Sequence, residues 1–148
     1  MRLVVAGGKH FVDVEQAERE LDRIHAHQPL TVLIHGGHPL LGTMLERWAR
    51  ERRIDVVRYP PNWQYLGNRA EAARNAFMLT DSRPDLALVL PGGRDTRAFA
   101  RTALGMGVPV VAVRGEGDEP GPDASPWQGD DVEPAPPGRP QLRLLTLA

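Results

Sequence analysis

The stretch LALVLPGG, residues 86–93, joins five consecutive apolar residues to a turn written in proline and glycine. Five residues are too few for a buried helix, and the absence of any polar alternation means that both faces are covered, as in a strand inside a parallel sheet. Working outward, Leu3 to Ala6, Thr31 to His35, Val56 to Tyr59 and, after Pro109, Val110 to Val113 share this character. They recur at intervals of about 25 to 30 residues, the length of a strand, a crossover helix and the return.

Between these runs the apolar period lengthens to that of a helix. Val14, Ala17, Leu21 and Ile24 fall on one face, then Leu41, Leu45 and Trp48, then Leu66, Ala70, Ala73 and Phe77, then Phe99, Ala103 and Met106. The alternation βαβαβαβαβ with right-handed crossovers implies an α/β fold. We expect a three-layer, Rossmann-like open parallel sheet of about five strands in the order 3-2-1-4-5.

Bulk properties set the limits. The 148 residues suit one domain, taken as 1–114. Residues 115–140 hold seven prolines and five glycines with few aliphatic residues, and read as an acidic loop or disordered segment. Residues 141–148 return to strand-like composition, an arm able to add a C-terminal edge strand. Seven acids and one base put −6 on 115–140; with a net charge of −1 overall, the rest carries +5. That modest balance suits a small anionic ligand and makes a long nucleic-acid footprint a poor fit. There is no apolar run of membrane-spanning length and no signal-like segment after MRLVVAGG, so a cytoplasmic protein without membrane contact is expected. The lack of cysteine excludes disulfides, thiolate catalysis and cysteine-bound zinc.

In an open α/β sheet, ligands bind beyond the carboxyl ends of the strands, where strand order reverses. Three strands here run into glycine: Gly7-Gly8-Lys9-His10 after the first, His35-Gly36-Gly37-His38 after the second, and Pro91-Gly92-Gly93-Arg94-Asp95-Thr96 after the fourth. Glycine lets main-chain N–H groups close on an anion, and the following helix adds free donors and a partial positive charge. A single glycine pair can serve simply to turn the chain, as any βα loop must. Three pairs on adjacent strands point to one pocket.

Other residues carry two readings each. Arg74 lies beside the apolar stripe of the third helix and needs a partner, either Glu71 or another structural carboxylate, or a ligand phosphate. His10, His35 and His38 could meet at the sheet edge, but they lack the carboxylate or stereotyped spacing of a metal centre, and neither a metal nor a cofactor is assigned. Trp48 reads as core. Trp63 and Tyr65 either fill the entrance to the third helix or stack on a base. Asp95 in the first helical turn reads as a cap, and would repel a phosphate placed on the same N–H groups.

The ordered set Gly7, Gly8 and Phe11, then Ile34-His35-Gly36-Gly37, Trp48-Ala49, Asn62-Trp63, Gly67, Arg74-Asn75 with Met78, and Pro91-Gly92-Gly93 with Thr96 resembles the YspA-like branch of the SLOG superfamily. That superfamily of Rossmann-like proteins includes the LOG phosphoribohydrolases and the DprA proteins. The likeness spans about Met1 to Val113 and implies a nucleotide-ligand pocket to which Arg74, Asn75 and the Pro91-Gly92-Gly93 loop contribute. LOG-like enzymes carry PGGxGTxxE with a glutamate that assists N-glycosidic cleavage. Here Asp95 stands at the third glycine of that pattern and Phe99 at its glutamate, and Leu40-Leu41-Gly42 replaces the GAD-like triplet usual after His-Gly-Gly.

The expected function is therefore binding, as a sensor or sequestering module, of a phosphate-bearing nucleotide-derived small molecule such as an ADP-ribose relative. The ligand-binding set comprises Gly7, Gly8, Lys9, His35, Gly36, Gly37, Arg74, Asn75, Pro91, Gly92, Gly93, Arg94 and Thr96. An alternative is a LOG-like phosphoribohydrolase acting on a nucleoside monophosphate, with Asp95 or Glu71 as the acid, so whether the chain is an enzyme stays open. A second alternative is DprA-like binding of single-stranded nucleic acid, which the charge balance disfavours. A homodimer through helix faces is a further expectation.

Overall fold

In the first strand, β1 (Arg2–Ala6), Leu3 and Val5 reach one apolar cluster and Val4 the other, so successive side chains feed opposite faces of one sheet. This alternation fixes where the helices must lie. The computed structural model describes residues 1–11, 13–61 and 67–114. Within them β1, α1 (Val14–His27), β2 (Val32–His35), α2 (Pro39–Glu51) and β3 (Asp55–Arg58) are followed by a single 3-10 turn (Gly67–Arg69). Then come α3 (Ala70–Ser82), β4 (Leu86–Val89), α4 (Arg94–Gly105) and β5 (Val110–Ala112). All pairings are parallel and the strand order is β3-β2-β1-β4-β5, the order expected from the repeat.

The two faces are filled by different helices. Leu21 and Ile24 of α1 and Leu41, Leu45 and Trp48 of α2 pack with Leu3, Val5, Leu33, Leu86, Leu88 and Val111. Met78 and Leu79 of α3 and Phe99, Ala100 and Ala103 of α4 pack with Val4, Ile34, Ala87, Val89 and Val110. The result is an open sheet between two helical layers, with all four residues of β4 buried and β3 an exposed edge. Trp48 is a core residue: its Nε1 donates to Asp22 at 3.0 Å, and the Arg52 guanidinium lies 4.4 Å over its ring.

The structure corrects the face assigned to α3. The expected stripe placed Ala73 and Phe77 inward, whereas Ala73 is exposed and Phe77 is 59% exposed. The buried side is Ala70, Arg74 and Met78, at helical spacing of four, so the helix is rotated by about one residue and the guanidinium itself points into the protein. Met106 likewise falls beyond α4, as its exposed C-cap. His25, in the last turn of α1, accepts the Leu30 N–H through Nδ1 at 3.0 Å and lies edge-on to Trp48. The expectations for 115–140 and 141–148, and those for Asn62, Trp63, Tyr65 and Leu66, fall outside the described residues. Among the described residues no helix is long and apolar enough to cross a membrane.

Candidate functional site

Where β1, β2 and β4 finish, their turns come together. Leu90 N–H donates to Ala6 O at 2.8 Å and Gly8 N–H to Pro91 O at 3.0 Å, which lays the first glycine turn against the fourth. A Cβ on Gly8 would stand 2.9 Å from Gly92 Cα, so the approach needs glycine. A cleft opens over this edge, floored by Val5, Ala6 and Gly7 of the first strand and by His35 and Gly36 of the second. Its walls are Leu41, Gly42 and Leu45 from α2, Glu71, Arg74, Asn75 and Met78 from α3, and Asp95, Thr96 and Phe99 from α4, with His38 at the mouth of α2.

Arg74 dominates the cleft electrostatically. It is 9% exposed, and Nη1 donates to the main-chain oxygens of Gly36 and, at 3.3 Å, of Tyr59, while Nε donates to Asn75 Oδ1 at 2.7 Å. Burial lowers its pKa from the usual guanidinium value and the nearby Glu71 charge opposes that, leaving the group a cation at neutral pH. Among the described residues no carboxylate lies at ion-pair distance from it, and Nη2 has no hydrogen-bond partner. Its contacts are to carbonyl oxygens, which orient the fork without neutralising it. A Cβ on Gly36 would overlap the guanidinium, so this glycine makes the space the arginine occupies.

The acids stand nearby. The Glu71 side chain is 12% exposed and pairs with Lys9 at 3.8 Å, and Asp95 is exposed in the first turn of α4, where Gly93 rather than Asp95 takes the N-cap position. His38 is held below its ordinary pKa by burial and by Arg74, against the pull of Glu71 and Asp95, so it is neutral near pH 7. Phe99, at the glutamate position of the LOG pattern, is 1% exposed and belongs to the core. Among the described residues no group of three or more metal-ligating side chains is placed to hold an ion.

Of the residues expected at the site, Gly7, His35, Gly36, Arg74, Asn75 and Thr96 line the cleft, as do the candidate acids Glu71 and Asp95. Gly8, Gly37, Pro91, Gly92 and Gly93 shape the turns behind and beside it, and Lys9 reaches it through Glu71. Arg94 is exposed at the start of α4 and outside the lining. Glu46, not among the residues expected at the site, accepts from both His35 and Arg58. A signal for it exists in Gly42: an internal helical glycine costs about 1 kcal/mol, so it marks a close approach, and Glu46 is its neighbour one turn on.

No curated protein and no solved structure matches the chain. Residues 1–65, from β1 past β3, match the model of the family described as YspA, cpYpsA-related SLOG; Arg74 and the Pro91-Gly92-Gly93 turn lie beyond the matched segment. Over that segment, which carries the first two glycine turns of the sheet just described, the chain is similar to the YspA-like SLOG family.

Proposed function

We propose that the cleft binds a phosphate-bearing, nucleotide-derived small molecule, and that the protein acts by holding that molecule, as a sensor or a sequestering module. The family match points to nucleotide-related binding or processing in general. The observation that carries the finer reading is Arg74: a buried cation without a carboxylate partner among the described residues, with one guanidinium nitrogen unspent, beside three glycine turns. An uncompensated buried charge is costly, and a phosphate supplies both the opposite charge and the acceptors for the fork. The main-chain N–H groups at the start of α4 have no intrahelical acceptor and offer a second, weaker hold.

Binding is favoured over N-glycosidic cleavage because the position that carries glutamate in LOG-like enzymes is a core phenylalanine, Phe99. Glu71 and Asp95, at the cleft wall, are the acids through which an enzyme would have to work. The two readings separate cleanly. Purified protein is titrated calorimetrically with ADP-ribose and with adenosine monophosphate, and each mixture is then chromatographed. Saturable heat without free adenine supports the binding module; release of adenine makes the protein a phosphoribohydrolase, and no heat with either compound removes the nucleotide reading.

A further inference from the structure

His35 ends β2 as the one polar residue of an otherwise apolar strand, 2% exposed, and both of its ring nitrogens are engaged. Nδ1 faces the Gly37 N–H at 3.0 Å and Nε2 faces Glu46 Oε1 at 3.1 Å. A main-chain N–H can only donate, so Nδ1 is the bare nitrogen and the ring proton sits on Nε2. That proton needs an acceptor, and Glu46 is in place for it. The ring fits against α2 only because residue 42 is glycine, where a Cβ would stand 2.9 Å from Cε1.

We propose that Glu46 is a positioning residue for the cleft: by accepting the Nε2 proton of His35 it fixes the ring so that Nδ1 holds the Gly36-Gly37 turn with its carbonyl on Arg74. Arg58 steadies the carboxylate, donating through Nε at 2.9 Å and also through Nη2 to the same Oε1 that His35 uses. Gly37 sits at φ +81, a conformation that a side chain resists and that the His35 hydrogen bond secures. A chain of donors and acceptors thus runs from the exposed edge strand through Glu46, His35 and Gly37 to Gly36, whose oxygen receives Arg74. The consequence for ligand affinity rests on the reading of the cleft given above; the state of the ring does not.

The charged groups facing the ring are Glu46 from α2, Arg58 from β3 and Arg74 from α3. Burial lowers the pKa of His35, Glu46 raises it, and the two arginines lower it. Protonation would set an Nδ1–H against the Gly37 N–H and release the turn, so affinity falls on the acid side as the ring charges.

The test uses the full chain without ligand. Long-range proton–nitrogen spectra of the His35 ring are expected to show a bare Nδ1 and a protonated Nε2 at neutral pH, and E46A to show a mixture of tautomers. In calorimetry E46A weakens ADP-ribose binding by about tenfold. E46Q retains the Oε1 acceptor, and so keeps the tautomer and the neutral-pH affinity, while loss of the negative charge moves the titration of the ring to lower pH. A wild-type ring protonated on Nδ1 would overturn the proposal, as would an E46A protein unchanged in both tautomer and affinity. Should E46A not fold, the E46Q titration decides, and an unshifted midpoint overturns it. If neither ADP-ribose nor adenosine monophosphate binds the wild type, the nucleotide reading falls and the ring spectra alone settle the role of Glu46.

Discussion

The guanidinium of Arg74 on α3 donates through Nη1 to the main-chain oxygen of Gly36, 38 residues earlier in the chain, at the end of β2. The contact joins a helix on one face of the sheet to the turn at its carboxyl edge. It is possible only because residue 36 has no side chain in the volume the guanidinium fills.

Gly36→Ala therefore tests the contact from the side of the turn. The new methyl displaces the fork and breaks its hydrogen bonds, costing about 1 to 3 kcal/mol in urea unfolding. In an Arg74→Ala background the same methyl meets nothing charged, and its cost falls by at least half. Equal costs in the two backgrounds would show that the residues are not coupled.

Phe99→Glu restores the carboxylate of the LOG pattern at a position that is 1% exposed and packed in the core. It removes a buried ring and introduces an unpaired charge, so unfolding measurements should show a loss of at least about 3 kcal/mol. A variant as stable as wild type and able to release adenine from adenosine monophosphate would contradict the assignment of Phe99 to the core.

The Tyr59 hydroxyl donates to Asp81 Oδ2 at 2.5 Å, and burial together with that carboxylate pushes its pKa up to about 12. The sign follows from which form is favoured: the folded state prefers the protonated phenol, so the bond contributes fully below the ordinary pKa near 10 and fades as pH rises from there toward 12. The difference in Tm between wild type and Tyr59→Phe should accordingly be constant at neutral pH and shrink over that alkaline interval. A difference that grows there would reverse the assignment.

Much of this architecture can be read from residue order. Five continuous apolar runs imply a parallel sheet because strands covered on both faces leave no polar alternation, and glycine after three of them marks the edge where the turns gather. The face of α3 could not be read that way. Hydropathy places Phe77 inside, but the helix instead buries Arg74, because the carbonyls of Gly36 and Tyr59 receive its donors, and those partners come from the turns after β2 and β3. Glu46 was hidden for a related reason. On its own helix it looks like a surface charge, and its role depends on a histidine from the neighbouring strand and an arginine from the sheet edge.

In the proposed function one buried guanidinium and the surrounding turns hold a phosphate. Calorimetric titration of wild type and Arg74→Ala with adenosine monophosphate and with adenosine, supported by circular dichroism to confirm folding, addresses it most directly. Wild type is expected to bind the monophosphate at least about tenfold more tightly than adenosine, and folded Arg74→Ala to lose this preference. Equal affinity of wild type for the two compounds, or a preference that survives without Arg74, would contradict it.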